Sequence, residues 1–130
     1  MESNKNLKSN VKYFSSKNEI NGCYLKDNDI YYYGDKVMSC DDIFIAGMHN
    51  VENCMSAIMI AKEFDVSNEV IIDTISNFRG VEHRLEYVDT VEGRLFYNDT
   101  EATNIKCTQI ALSSFNKPII VFLGGLERGQ

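Results

Sequence analysis

The sequence predicts an α/β fold in which a strand-rich region and two helices precede a second unit that begins with strands and a helix. Short apolar runs separated by turn residues occupy residues 11–45, which is a strand pattern. Apolar residues at helical spacing follow between residues 50 and 78. After residue 80 the pattern becomes strand, helix and apolar strand, which is typical of α/β domains.

The first strands are predicted from three apolar runs, at residues 11–14, 22–25 and 30–33. Between the second and third runs, residues 26–29 are Lys-Asp-Asn-Asp, a turn sequence that favours a hairpin. Residues 43–45 are apolar again, and they predict either a further short strand or a loop.

Two helices are predicted next. The first covers residues 50–64, with Asn50 as its N-cap. Ser67 is the expected N-cap of the second, which runs to Phe78 and ends before Gly80. We place the boundary between the two units here, which predicts domains over residues 1–78 and 79–130.

The second unit begins with strands at residues 85–88 and 94–97, joined by a turn at Glu92 and Gly93. A helix is expected over residues 103–115. Residues 119–123 are all apolar, which predicts a strand buried on both faces of a parallel sheet. One such unit cannot cover both faces of a sheet, so we expect the parent protein to continue beyond it.

Composition narrows the class of protein. The chain has 130 residues and a net charge of −6, which argues against broad binding to nucleic acid or to anionic membranes. Four cysteines without CxxC spacing predict reduced thiols rather than a metal site. No signal peptide and no membrane-spanning run is recognisable. These features predict a soluble, cytoplasmic protein without membrane insertion.

Two polar segments offer candidate ligand contacts, one in the first half of the chain and one at the boundary. Asn50 and Asn53 lie three residues apart, on one side of a helical turn, and carboxamides match the donor and acceptor edge of adenine. Alternatively, Asn50 only caps the helix and Asn53 is solvated. Arg84, beside His83, can stack on a base or pair with phosphate oxygens, or it is simply a surface residue.

Two further segments follow strands in the second half. Asp99 and Thr103 come between a strand and a helix, where a carboxylate can accept ribose hydroxyls and helix N–H groups favour an anion. Alternatively, both are turn and cap residues. Arg128 follows Gly124 and Gly125 and can hold a carboxylate. No phosphate-gripping GxxxxGK[ST] loop occurs in the chain.

Four segments, taken together and in order, resemble the D-glutamate-adding branch of the Mur ligase family. They are GMHNVEN, FRGVEHRLE, NDTEATN and VFLGGLERG. The resemblance covers nearly the whole chain and is weaker before Ile43. It implies the end of a central ATP-binding domain followed by the start of a Rossmann-like C-terminal domain. It also implies ATP, Mg²⁺, D-glutamate and UDP-N-acetylmuramoyl-L-alanine as ligands in peptidoglycan synthesis. In that family ATP phosphorylates a carboxylate, and the amino-acid amine attacks the acyl phosphate.

The resemblance implies roles for individual residues. Four residues are implied to bind the nucleotide. Asn50 and Asn53 would contact adenine, Asp99 would contact the ribose, and Arg84 would reach the nucleotide from the second unit. Those at the amino-acid site are Glu101, Thr103 and Arg128. The remaining motif residues receive no role: His49, His83 and Asn104. No catalytic residue and no metal ligand is assigned within the chain.

One position departs from the family pattern. Where the family usually has a lysine that helps to position D-glutamate, this chain has Glu101. A carboxylate there would repel an anionic substrate, so a ligase with different amino-acid specificity is an alternative, and a non-catalytic nucleotide-binding remnant is another. The family's phosphate loop and metal ligands lie upstream of the matched region, so we expect this chain alone to be inactive as a ligase.

Overall fold

The computed structural model describes residues 9–125 of the protein, which contain both helices and strands. Six strands and three α-helices are formed within this part of the chain. In chain order they are β1 (Phe14–Ser15), β2 (Cys23–Lys26), β3 (Asp29–Tyr32), β4 (Asp35–Ser39), α1 (Met48–Glu63), α2 (Asn68–Asn77), β5 (Glu86–Val91), β6 (Arg94–Asn98) and α3 (Ile105–Ser113).

The first four strands form one sheet in the order β1-β2-β3-β4. Strands β2, β3 and β4 are antiparallel neighbours, and β1 pairs in parallel with β2. Asp27 and Asn28 connect β2 to β3 with φ values of 49° and 68°, which suits a two-residue hairpin. Tyr33 and Gly34 connect β3 to β4 in the same way, with φ values of 50° and 95°.

The predicted hairpin is confirmed, and two details of this region differ from the prediction. The strand expected at residues 11–14 is reduced to Phe14 and Ser15. Strand β4 was not predicted, because its first residues, Asp35 and Lys36, are polar and only Val37 and Met38 are buried. Residues 43–45 form a loop that leads to α1.

Helix α1 begins two residues earlier than predicted, and the assignment of Asn50 as its N-cap is wrong. Gly47 is the N-cap, with φ of 101°, a conformation that glycine adopts without steric cost. Asn50 instead lies in the first turn, where its Nδ2 donates to the Ala46 carbonyl oxygen at 2.7 Å. The prediction for α2 is confirmed, since Ser67 Oγ accepts from the Val70 N–H at 3.4 Å.

One hydrophobic core lies between the first sheet and the helices α1 and α2. Its buried residues are Cys23, Ile30, Val37, Met38, Val51, Met55, Ile58 and Ile71. Each large aliphatic side chain that is fully buried contributes about 1.5–3 kcal/mol relative to an exposed one. Every buried hydrophobic residue of the described chain lies between positions 23 and 71, so this core belongs to the first part alone.

The second part contains the antiparallel pair β5–β6 and helix α3. The predicted turn is confirmed, because Glu92 and Gly93 connect the two strands with φ values of 50° and 76°. Helix α3 begins later than predicted, since Asn104 is its N-cap and accepts from the Cys107 N–H at 2.9 Å. This bond stops the helix from extending back to Thr103.

The strand predicted at residues 119–123 is wrong within the described chain, where these residues form neither helix nor strand. They are exposed rather than buried, and Phe122 is 91% exposed. A strand needs a hydrogen-bonded neighbour, and none of the described strands lies beside this run. The fold is therefore mixed α and β, and the Rossmann-like arrangement remains a prediction.

Within residues 9–125 no helix combines the length and the apolar character that crossing a membrane requires.

Candidate functional site

A pocket of about 250 Å³ lies where the start of α1 meets the second part of the chain. Its lining comes from α1, from the turn before β5, from the loop after β6 and from α3. The lining residues are His49, Asn53, Arg84, Leu85, Asp99, Glu101, Ala102, Cys107, Ile110 and Ala111. We call it the junction pocket. Half of these residues are polar or charged and half are apolar.

Helix α1 supplies the first wall through His49 and Asn53. Gly47 starts this helix with φ of 101°, which a residue with a Cβ rarely adopts, and a Cβ there would also lie 2.4 Å from Ser114 Oγ and 2.8 Å from His49 Nδ1. Asn53 Nδ2 donates to Asn50 Oδ1 at 3.3 Å. Asn50 thus orients Asn53 from behind and does not itself line the pocket.

The turn before β5 supplies Arg84. His83 and Leu85, on either side of it, both have positive φ values, 66° and 45°. Such strained non-glycine residues cluster at functional sites and persist only when their surroundings hold them. The Arg84 N–H donates to the Val81 carbonyl oxygen at 3.1 Å, and the His83 N–H donates to Glu86 Oε2 at 2.8 Å.

The loop after β6 is bound directly to this turn. The Leu85 N–H donates to Asp99 Oδ1 at 2.9 Å, and the Glu101 N–H donates to the His83 carbonyl oxygen at 3.0 Å. The Ala102 N–H in turn donates to the Asp99 carbonyl oxygen at 3.0 Å. These bonds join the turn that carries Arg84 to the loop that carries Asp99 and Glu101, and together the two segments form a second wall of the pocket.

The histidine ring of the turn has a structural role. Asn98 Nδ2 lies 2.9 Å from His83 Nδ1, and the Glu86 carboxylate lies 3.6 Å from the same nitrogen. The side chain connects the turn to β6 and does not line the pocket.

Charged groups on the second wall are available to a ligand. Among residues 9–125 neither the Arg84 guanidinium nor the Glu101 carboxylate forms an ion pair. One oxygen of Asp99 is used by the Leu85 N–H, which leaves the other as an acceptor. The pocket thus presents a guanidinium and two carboxylates, and it can pair with a cation, an anion or a hydroxyl.

Acid should destabilise the protein through His49. Burial, followed by the positive charge of Arg84, lowers the pKa of His49, and the carboxylates of Asp99 and Glu52 oppose this only in part. The folded protein therefore binds a proton less readily than the unfolded chain, whose histidine pKa is about 6.5. Its stabilising contribution is complete above that pKa and is lost as pH falls through the folded pKa.

We expect the His49 Cε1–H resonance to titrate with a midpoint below about 6.5, and Arg84→Met to raise that midpoint. Denaturation at a series of pH values should show a loss of stability on the acid side that His49→Gln reduces. A wild-type midpoint at or above the ordinary histidine value would contradict the prediction.

The structure brings five of the predicted residues into one pocket: His49, Asn53, Arg84, Asp99 and Glu101. Asn50 and His83 stand behind this set. Asn104 caps α3 and Thr103 is exposed outside the pocket lining, while Arg128 lies outside the described residues.

The apolar lining was not predicted. It consists of Leu85, Ala102, Cys107, Ile110 and Ala111. Cys107, Ile110 and Ala111 are three and four residues apart, which places them on one face of α3, but spacing cannot show what that face contacts.

No family model matches the chain. Curated relatives do match it, and each is named a UDP-N-acetylmuramoylalanine–D-glutamate ligase. The Bacillus mycoides (strain KBAB4) protein is 50% identical over 118 residues, covering 90% of this chain and 26% of the relative. The Bacillus cytotoxicus protein is 47% identical over 131 residues, covering 100% of this chain and 29% of the relative.

A Streptococcus agalactiae serotype Ia relative is 46% identical over 127 residues, covering 97% of this chain and 28% of the relative. The chain thus spans between 26% and 29% of the length of these relatives. The resemblance to the Mur ligase family is confirmed: over its own length, this chain is similar to a segment of the UDP-N-acetylmuramoylalanine–D-glutamate ligases.

Proposed function

We propose that this chain is part of an ATP-dependent amide ligase that joins D-glutamate to UDP-N-acetylmuramoyl-L-alanine in peptidoglycan synthesis, through an acyl phosphate. The observation that supports it best is the junction pocket. Asn53, Arg84 and Asp99, each predicted to contact nucleotide, come from separate segments of the sequence and line one cavity. A shared ligand explains the grouping of these three residues in one pocket better than chance does.

In this proposal the junction pocket holds the adenosine part of ATP. Asn53, oriented by Asn50, offers its carboxamide to the adenine edge. Arg84 lies on the opposite wall, where its guanidinium can stack on the base or pair with a phosphate. The free oxygen of Asp99 accepts ribose hydroxyls. The apolar face of α3 excludes water from one side of the base.

The residues of the acceptor site belong to the proposal as well. Glu101 lines the same pocket as the residues assigned to the nucleotide, and Thr103 follows it before α3. Arg128 is assigned to the same amino-acid site from the sequence. We further propose that the domain boundary falls at residues 78 and 79, next to Gly80.

The proposal assigns no Mg²⁺ ligand to the described part of the chain. Among residues 9–125 no group of three or more histidine, cysteine, aspartate or glutamate side chains could hold a metal ion. These residues therefore do not fit a Mg²⁺ site by themselves. A cytoplasmic location is proposed because ATP and reduced thiols belong to that compartment, and the four cysteines are unpaired.

Glu101 favours a second candidate, a ligase of the same family with a different amino-acid substrate. Glu101 lines the pocket, and its carboxylate forms no ion pair among the described residues. A like charge near a partly desolvated anion is unfavourable. The second candidate therefore accepts a neutral or cationic amino acid better than D-glutamate.

A chimeric enzyme would test both candidates. The segment of the Bacillus cytotoxicus relative that aligns with this chain is replaced by the chain, and ADP release is measured with UDP-N-acetylmuramoyl-L-alanine and a panel of amino acids. We expect ADP release that depends on the acceptor and on D-glutamate. Release with a neutral or cationic amino acid alone would instead support the second candidate.

Glu101→Lys in the chimera should raise the use of D-glutamate, on the order of tenfold or more in kcat/KM, because it removes one repulsion and adds an attraction. Glu92→Lys makes the same change of charge on the exposed β5–β6 turn and serves as the matched control. A chimera that binds ATP but never releases ADP would contradict both candidates and favour a non-catalytic remnant.

A further inference from the structure

The walls of the junction pocket belong to parts of the chain that share no common core. Every buried hydrophobic residue of the described chain lies between positions 23 and 71, whereas Arg84, Asp99 and Glu101 come later. The described helices and strands after residue 80 contain no fully buried residue. The spacing of the two walls therefore depends on a small number of contacts at the junction.

Those contacts converge on the loop that leads to α1. The Arg79 guanidinium carbon lies 4.2 Å from the centroid of the Phe44 ring. The Phe44 ring also meets Tyr87 of β5 in an edge-to-face contact, with centroids 6.4 Å apart and planes at 82°. Phe44 is thus held by the Arg79 guanidinium, at the boundary between the two parts, and by the Tyr87 ring, in the second part.

The aromatic contacts continue across the second part. Tyr87 and Tyr97 have centroids 5.7 Å apart, and Tyr97 and Phe115 have centroids 4.8 Å apart. We call Phe44, Tyr87, Tyr97 and Phe115 the aromatic column. It runs from the loop before α1 across β5 and β6 to the end of α3, and so connects the elements that line the pocket.

Beside the aromatic column, two glycines pack closely against side chains. A Cβ on Gly80 would lie 3.2 Å from Ile45 Cγ2, and one on Gly47 would lie 2.4 Å from Ser114 Oγ. The loop thus touches the second part at Phe44, Ile45 and Gly47 and then continues directly into α1. Because this loop and the helix are covalently continuous, movement of Phe44 moves the wall that carries His49 and Asn53.

We propose that Phe44 is a positioning residue, which sets the width of the junction pocket by holding the loop before α1 against Arg79 and Tyr87. Loss of the ring lets the two walls separate while the core of the first part stays folded. Nothing in this inference depends on which ligand the pocket takes, so it stands or falls separately from the proposed function.

The alkylation rate of Cys107 measures the separation of the two pocket walls without a ligand. Cys107 lines the pocket and is half-buried. Three other cysteines serve as internal references in the first part. Cys23 and Cys54 are buried and Cys40 is half-buried, and burial raises the pKa of the Cys23 thiol to about 11. Alkylation by iodoacetamide, followed at each cysteine by mass spectrometry, distinguishes local opening from unfolding.

The variants are Phe44→Ala, the conservative Phe44→Tyr, and Phe78→Ala as a matched control. Phe44 and Phe78 are both 46% exposed, but within residues 9–125 Phe78 makes no aromatic or cation contact of the kind that Phe44 makes. We expect Phe44→Ala to accelerate alkylation of Cys107 on the order of tenfold, the combined effect of a lost cation–π contact and a lost aromatic pair. Phe44→Tyr and Phe78→Ala should behave like the wild type.

Arg79→Met gives a second, milder test, because it removes the cation and keeps the ring. Faster alkylation of Cys107 alone, in both Phe44→Ala and Arg79→Met, supports the proposal. An unchanged rate at Cys107 overturns it. So does a parallel acceleration at Cys23 and Cys54 in both variants, since this would mean that the contacts only stabilise the fold.

Discussion

Replacing Ile58 with alanine is expected to lower the free energy of unfolding by about 2–5 kcal/mol, the usual cost of truncating a large buried aliphatic side chain. Ile58 is 0% exposed and belongs to the single described core, between the first sheet and the two helices. Urea denaturation followed by far-ultraviolet circular dichroism measures the change.

Ile60→Ala is the matched control, because it removes the same atoms from the same helix. Ile60 is 63% exposed, and we expect its truncation to change stability by no more than about 0.5 kcal/mol. Equal losses for the two variants would show that α1 does not pack against the sheet through the face that contains Ile58.

The local elements of the fold could be predicted because their signals are local. The turn at Asp27 and Asn28, the cap at Ser67 and the turn at Glu92 and Gly93 each depend on residues within a few positions of one another. The apolar spacing predicts helix α1 to within two residues of its start but not its cap, because a glycine with positive φ leaves no mark in that spacing. Gly47 is favoured at this cap by its φ of 101°, a conformation that residues with a Cβ rarely adopt.

The run at residues 119–123 illustrates the opposite case. Its composition predicts a strand with both faces covered, but a strand forms only with a partner, and the identity of the partner is not encoded in the run itself. In the described chain the run has none and remains exposed. Strand β4 is the converse, since its pairing with β3 overrides the polar character of Asp35 and Lys36.

The candidate site divides in the same way. His49, Asn53, Arg84, Asp99 and Glu101 could be named from the sequence because polar motifs at element boundaries are visible in one dimension. What could not be predicted is how they are held. The hydrogen bond between Leu85 and Asp99 continues the β5–β6 hairpin, which pairs Glu86 with Asn98, so the predicted turn brings these two residues near each other but does not show the bond. The packing of Phe44 on Arg79 joins the loop before α1 to the boundary, and no periodicity or turn signal encodes it.

Asp99→Asn is expected to weaken adenosine binding on the order of tenfold or more, because a hydrogen bond to a charged acceptor contributes more than one to a neutral acceptor. Asparagine keeps an oxygen that can accept from the Leu85 N–H, so the loop and the turn should stay joined. Saturation-transfer NMR with adenosine measures the affinity. This nucleoside avoids the negative charge of phosphates, whose repulsion from Asp99 would mask the loss.

Asp89→Asn is the matched control, since Asp89 is exposed on β5 and accepts only from its neighbour Thr90 among the described residues. We expect it to leave affinity unchanged. An Asp99→Asn variant that keeps wild-type affinity would exclude Asp99 from the nucleoside site, whereas equal losses in both variants would point to a general effect of charge.

A second ligand then identifies what Asp99 binds. If its free oxygen accepts ribose hydroxyls, wild-type protein should prefer adenosine to 2′,3′-dideoxyadenosine, and Asp99→Asn should abolish most of that preference, because residue and hydroxyls act as one interacting pair. If the two losses add, Asp99 acts on another part of the ligand. Only a lost preference in Asp99→Asn would connect the hydrogen bond that holds Asp99 beside Leu85 to recognition of a sugar. The geometry of this loop would then be a cause of nucleoside selectivity.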